Sequence, residues 1–285
     1  MKICFLLELE KGLWQWSDGL RGAMRILEED HAICYHTDGE LHSHQPDLLM
    51  CWGGVLAKTF TEGLKFNGKR ILFFAGGDLK PEMQQYFVLF ENEYHRIKSQ
   101  EFRIEGLVAF GTNTEVFKPI KQPKIFDVFY PGAFGLWKRK DLFTRACKGL
   151  RAFTCGNIQQ HEMQCWDICV DNGIGVAPDI MQDVLPYFYN MSKCTLVLPV
   201  AYIGCQRTVL ESMACKVPVI VPSDAPLVVE YAVHGGMVVS PEEGVIREAV
   251  LSADSYDPTE AYEYVMDNLT EKHYAEKIKE AIEIA

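Results

Sequence analysis

Pro199-Val200-Ala201-Tyr202-Ile203-Gly204-Cys205-Gln206-Arg207-Thr208-Val209-Leu210-Glu211-Ser212-Met213-Ala214-Cys215-Lys216-Val217-Pro218-Val219-Ile220-Val221 is the densest stretch of this sequence, and it reads as strand, loop, helix and strand in succession. If the helix begins near Gln206 or Arg207, its first N–H groups and positive dipole end face the carboxyl edge of the sheet, where an anionic group fits. Arg207 adds a full charge there. Glu211 stands one turn further on, which leaves two readings: a surface ion pair with Arg207 worth about 0.2–0.5 kcal/mol, or a carboxylate turned into a crevice. Pro218 and the run Val219-Ile220-Val221-Pro222-Ser223 favour the second, because a buried strand ending in a turn opens onto the same crevice.

Working outward, the C-terminal half alternates short apolar runs at Phe126–Tyr130, Ala152–Thr154, Thr195–Pro199, Val217–Val221 and Met237–Val239 with helical stretches that include Asp183–Met191 and Val209–Cys215. The N-terminal half does the same, with runs at Ile3–Leu7, Leu48–Trp52, Arg70–Phe74, Val88–Phe90 and Leu107–Phe110. Runs of this length suit strands buried on both faces of a parallel sheet. Between the first two, Leu20, Ala23, Met24 and Leu27 repeat at helical spacing while Arg21, Arg25 and Glu28 face away. The pattern breaks at Phe117-Lys118-Pro119-Ile120-Lys121-Gln122-Pro123, where two prolines disfavour regular structure, so residues 1–120 and 121–285 are expected to form separate domains. Helical periodicity from Pro258 onward puts terminal helices on the second, with the C-terminal helix returning toward the first.

The 285 residues include 39 acidic and 28 basic side chains, a net charge of −11 that disfavours a broad nucleic-acid surface. Any bound phosphate must be held locally. The ten cysteines are scattered through apolar runs such as Ile3-Cys4-Phe5 and Met50-Cys51-Trp52, as buried thiols of a reducing compartment are. Cys165 and Cys169 stand at helical spacing, but no second Cys/His pair completes a metal site. The N-terminal segment turns acidic at Glu8, too soon for a signal peptide, and no 18-residue apolar run exists. A cytoplasmic location is expected.

The central stretch resembles the signature of the retaining group-1 (family 4) glycosyltransferases of GT-B fold, in which a Glu, seven residues and a second Glu precede a small-residue helix and a Pro-Val strand. Glu211 through Ile220 matches the second half of that signature. The first Glu is replaced by Ile203, eight positions before Glu211. Tyr130-Pro131-Gly132-Ala133-Phe134-Gly135-Leu136-Trp137-Lys138-Arg139-Lys140-Asp141-Leu142 resembles the family's strand, Gly-Arg loop and Lys before a helix, with Ala133 at the place of the Arg. Gly111 through Pro119 and Asp183 through Tyr189 also fit. The resemblance covers about residues 105 to 285.

It implies an α/β chain of two Rossmann-like domains (GT-B) facing an interdomain cleft, an N-terminal acceptor side and a C-terminal domain that binds the nucleotide sugar. Glu211 would hold the ribose hydroxyls. Gly204, Cys205, Gln206 and Thr208 would face the donor's sugar and phosphates beside Gly132, and Lys138 would bind the diphosphate, with Arg139 or Arg207 substituting for the missing Arg. A solvated basic turn is the plainer reading of Lys138-Arg139-Lys140.

In the N-terminal half, Gly12 and Gly19 flank Trp14 and Trp16, a mobile loop whose rings either stack on a sugar or pack in the core. Asp78, after Gly76-Gly77, is either a polar contact in the cleft or the cap of the next helix. His36, His42 and His44 lie near Asp38, Gly39 and Ser43, which reads as an exposed turn rather than a metal site. Glu91, Glu93 and His95 are secondary candidates if the fourth strand continues through them.

The expected activity is metal-independent transfer of a sugar from a nucleoside diphosphate sugar to an acceptor hydroxyl, with retention. The nucleotide sugar is a substrate, so no cofactor is expected, nor any metal, since no Asp-x-Asp pair occurs. The acceptor is left open among glycan, lipid-linked and small-molecule hydroxyls. Peripheral membrane association is left open, although no basic amphipathic helix stands out. The rivals are a non-catalytic nucleotide-sugar-binding protein, suggested by Ile203 and Ala133, and an epimerase or phosphorylase on the same fold.

Overall fold

A computed structural model describes residues 1–8, 18–41, 45–158, 163–178, 180–202, 204 and 206–285. The chain divides into two units, Met1–Gly111 with Leu269–Ala285, and Thr112–Asn268.

The first unit carries β1 (Lys2–Leu6), α1 (Asp18–Leu27), β2 (Ala32–His36), β3 (Leu48–Gly53), α2 (Lys58–Lys65), β4 (Lys69–Phe74), β5 (Phe87–Phe90), α3 (Glu93–Ser99) and β6 (Gly106–Val108). All six strands are parallel, in the order β2-β1-β3-β4-β5-β6. Alternation along the strands feeds two cores. Ile3, Phe5, Met50, Ile71 and Phe73 face one side, where α1 and the helix Glu271–Ile284 cover them. Cys4, Leu6, Leu49, Cys51, Leu72 and Phe74 face the other, against Phe60 and Met83.

The helix Glu271–Ile284 belongs here because Tyr274, Ala275, Ile278 and Ala281 form one apolar stripe, all buried in the core of the first unit. Gly22 lets α1 come close, since a Cβ there would stand 2.8 Å from that of Glu271. Thr270 and His273 close a capping box at its start.

The boundary therefore differs from the one expected at residue 120. Residues 112–120 are anchored in the second unit: Asn113 Oδ1 accepts from Glu115 N and Val116 N, and Asn190 accepts from Ile120 N at 2.8 Å while donating to Lys118 O at 3.0 Å. Side-chain hydrogen bonds replace regular structure where the prolines forbid it. The crossing falls instead at Gly111, where a Cβ would meet the Thr270 carbonyl at 2.9 Å.

The second unit carries β7 (Phe126–Pro131), α4 (Lys140–Ala146), β8 (Ala152–Cys155), α5 (Met163–Asp171), β9 (Gly175–Ala177), α6 (Leu185–Asn190), β10 (Ser192–Leu196), α7 (Gln206–Ala214), β11 (Val219–Pro222), α8 (Pro226–Ala232), β12 (Met237–Val239), α9 (Glu243–Ser252) and α10 (Thr259–Asn268). Its parallel sheet runs β12-β11-β10-β7-β8-β9. From β7 the chain winds outward through β8 and β9, then returns to the other side of β7 for β10. The order reverses between β7 and β10, where open α/β sheets leave a crevice at their carboxyl ends.

Two expectations in the first unit fail. His36 closes strand β2 instead of sitting in an exposed turn; His42 and His44 lie outside the described residues. The strand before Glu91 stops at Phe90, and His95 lies in α3, buried, with its ring edge-on to Phe74 at 5.3 Å. Burial, and then the nearby Lys98, hold the His95 imidazole down to about 4.

A histidine freed on unfolding titrates near 6.5. The stability that neutral His95 contributes is thus present above pH about 6.5 and lost as the pH falls toward about 4. Denaturant midpoints measured across that window should fall more steeply for the wild type than for His95→Gln, and equal slopes would contradict the assignment.

Candidate functional site

The loops that leave β7 and β10 are tied together at the point where the strand order reverses. Val200 N donates to Trp137 O at 2.9 Å, and Lys138 Nζ donates to Gly204 O at 3.1 Å. Tyr130, buried on β7, donates its hydroxyl to Lys138 O and accepts from Leu198 N at 3.2 Å, joining the same two loops from beneath. A third loop, after β11, is held by Arg139, whose guanidinium forms a bidentate pair with Asp224 at 2.9 and 2.7 Å. That pairing raises Arg139 and lowers Asp224 relative to their ordinary ranges.

The tripeptide Lys138-Arg139-Lys140 is therefore no solvated basic turn. Lys138 is 9 % exposed, and Lys140 is fully buried. Lys140 Nζ donates to Tyr130 O at 3.2 Å and to Thr154 Oγ1 at 2.6 Å, and lies 3.8 Å from the centroid of the Tyr130 ring. Lys140 fixes the end of β7 from inside the core. Sequence reasoning treated it as one more cation near the loop; its place one turn before Phe143 and Thr144, both buried, was the available signal.

Gly132 opens the first loop with φ +144°, in the region glycine favours, and Gly156 after β8 backs it. A Cβ on Gly156 would stand 2.3 Å from the Gly132 carbonyl oxygen.

Across the crevice, α7 begins at Gln206 and presents the first-turn amides of Gln206, Arg207 and Thr208. Gln206 is buried and curls back toward Gly204, while Arg207 and Thr208 are half-buried. Glu211 is 3 % exposed, so the surface ion-pair reading fails. Its Oε2 accepts from Tyr189 Oη at 2.7 Å. Burial, then the Glu211 carboxylate, push the Tyr189 hydroxyl well above its ordinary range, so it stays a donor. Tyr189 in turn packs edge-on against Phe117 and Phe129, at 6.0 and 5.2 Å. Tyr189 was missed as an orienting residue because its spacing from Glu211 in sequence carries no periodic signal.

No protein-family model and no curated sequence matches the chain. Solved structures do. Over the full length of both chains it is similar to HepE of Anabaena, solved with UDP-glucose, with TM-score 0.75 and 13 % identity. It is similar to AviGT4, a glycosyltransferase involved in avilamycin A biosynthesis, with TM-score 0.72 and 14 % identity over 98 % of this chain and 96 % of that one. A glycosyltransferase from Rickettsia africae ESF-5 is matched over the same shares, with TM-score 0.72 and 15 % identity. The fold is GT-B.

Within this GT-B chain, Lys138, Arg139, Arg207, Glu211, Gly204, Gln206, Thr208 and Gly132 all belong to the second unit, on the two loops after β7 and β10 and on helix α7. Cys205 and Gly12 lie outside the described residues, as do Ile203, Trp14 and Trp16. Asp78 belongs to the first unit, after the left-handed Gly76 and Gly77 that follow β4. It does not cap the next helical turn; it is exposed, with Lys80 Nζ at 4.0 Å. Cys165 and Cys169 are buried along α5, with Cys169 Sγ 3.7 Å from Thr144 Oγ1.

Gly156→Ala forces a Cβ into the Gly132 carbonyl at a φ of +148°, and should cost about 2 kcal/mol or more. Thermal unfolding reads this as a lower midpoint; an unchanged midpoint would mean the Gly132 loop has another resting position.

Proposed function

We propose that the protein is a glycosyltransferase that moves a sugar from a nucleoside diphosphate sugar to an acceptor hydroxyl, with retention of configuration. The observation that carries this reading is the buried Glu211 carboxylate, held by Tyr189 one turn below the start of α7. Lys138 stands on the loop bonded to the segment that leads into that helix. Carboxylate oxygens accept from a pair of ribose hydroxyls, and a cation with a helix N-terminus suits a diphosphate. HepE, of the same fold, is solved with UDP and UDP-glucose, which makes UDP-sugars the first donors to try.

In this mechanism the leaving diphosphate gains negative charge as the glycosidic bond breaks. Lys138, Arg207 and the first-turn amides of α7 stabilise it, in place before the bond breaks and needing no reorganisation. Gly132, free of a side chain, lets the diphosphate approach the backbone. Arg139 is paired with Asp224, and we assign it to holding the Gly132 loop in position more than to neutralising phosphate. Gly204, Cys205, Gln206 and Thr208 would line the donor's sugar and phosphates. Gly12 and Asp78 fall in the N-terminal half, to which this reading gives the acceptor, a glycan or another hydroxyl compound. Among the described residues no helix is long and apolar enough to cross a membrane; a cytoplasmic location, with at most peripheral membrane contact, is our proposal.

A second reading, a nucleotide-sugar-binding protein without turnover, draws on Ile203 and Ala133, which replace two charged residues of the resembled family. Thermal shifts with UDP, GDP, ADP, TDP and CDP test both. A nucleotide at about 100 times its Kd adds roughly 2.7 kcal/mol, a rise of several degrees. One nucleotide should stabilise the wild type, and Glu211→Gln should weaken that binding at least about tenfold. Absence of any shift contradicts both readings; a shift without turnover of the matching nucleotide sugar selects the second.

A further inference from the structure

Strands β1 and β2 lie in parallel register with Cys4 beside Cys34 and Leu6 beside His36. Positions two apart on a strand share a face, so Cys34 and His36 project to the same side of β2 as Cys4 does from β1. One ligand atom from each of the three lies within 4.8 Å of the other two. A tetrahedral zinc site with Zn–S near 2.3 Å and Zn–N near 2.0–2.1 Å sets its ligand atoms about 3.5–3.8 Å apart. The ligand atoms would need to draw together by at most about 1 Å.

The histidine is already oriented. His36 Nδ1 lies 3.0 Å from the backbone carbonyl of Glu40. A carbonyl only accepts, so Nδ1 donates to it. Metal-ligating histidines are commonly fixed by a hydrogen bond of this kind. Access is also provided. β2 is the edge strand of its sheet, and Cys34 and His36 are half-buried on it, while Cys4 is fully enclosed. An ion reaches the trio from the edge and meets one deep and two shallower ligands.

We propose that Cys4, Cys34 and His36 form a binding site for a thiophilic divalent cation of the zinc class, which clips the edge strand β2 to β1. Two thiolates and one neutral imidazole give a soft donor set that favours zinc over magnesium or calcium. Two thiolates also balance the charge of the ion. Water completes the coordination shell on the open side. Cys4, Cys34 and His36 belong to the first unit, whereas Lys138, Arg207 and Glu211 belong to the second, and the proposal does not depend on the assignment to sugar transfer.

The full chain, stripped with a chelator and dialysed against zinc, should retain one equivalent by elemental analysis and melt at a higher temperature than the stripped protein. Cadmium should give a thiolate charge-transfer absorbance that saturates at the same equivalent. Cys34→Ser and His36→Gln should each weaken retention at least tenfold, with circular dichroism of the metal-free variants unchanged, while Cys165→Ser should bind as the wild type does. Two variants keep the test decisive if one fails to fold. No retained metal, or metal retained equally by Cys34→Ser and His36→Gln, would overturn the site.

Discussion

The hydrogen bonds that join the loop after β7 to the loop after β10, Lys138 to Gly204 and Val200 to Trp137, are the constraint on which the rest of the second unit depends. A doubly wound sheet must reverse its winding somewhere, and there the two flanking loops part and leave backbone groups exposed to a ligand. In this chain the gap is bridged, so that the Gly132 loop, the approach to α7 and, through Arg139 and Asp224, the turn after β11 form one framework.

That framework is maintained by polar groups the core could not hold singly. Lys140 is buried only because Tyr130 O, Thr154 Oγ1 and the Tyr130 ring replace its water. A buried ammonium left without such partners costs several kcal/mol. Glu211 is enclosed under the same condition, with Tyr189 as donor. Each partner is itself fixed by packing, Tyr189 against Phe117 and Phe129, so the carboxylate sits where the aromatic core puts it. The geometry of the site is thus set in part by buried residues, Tyr189, Phe117 and Phe129 among them.

How much of this was legible in sequence follows from range. Among the described residues, ten of the twelve strands appear as apolar runs, most of them because burial on both faces leaves a continuous signal. β2 and β9 were missed for their composition: β2 ends in Tyr35 and His36, and β9 is the short Gly175-Val176-Ala177, whereas the other two edge strands, β6 and β12, keep apolar runs. The helical placement of Arg207 and Glu211 was readable from spacing. The division at Gly111 was not, because it depends on Asn190 reaching back about seventy residues to Lys118 and Ile120. The commitment of Arg139 to Asp224, at a separation of 85 residues, is equally invisible to any local pattern.

The account's central claim is that the loops after β7 and β10 and the first turns of α7 bind a nucleoside diphosphate. A crystal structure of the chain soaked with UDP tests it most directly. The account predicts the ribose hydroxyls on the Glu211 carboxylate and the diphosphate between the Gly132 loop, Lys138 and the start of α7. Nucleotide bound elsewhere on the chain, with Glu211 still enclosed and untouched, would contradict it.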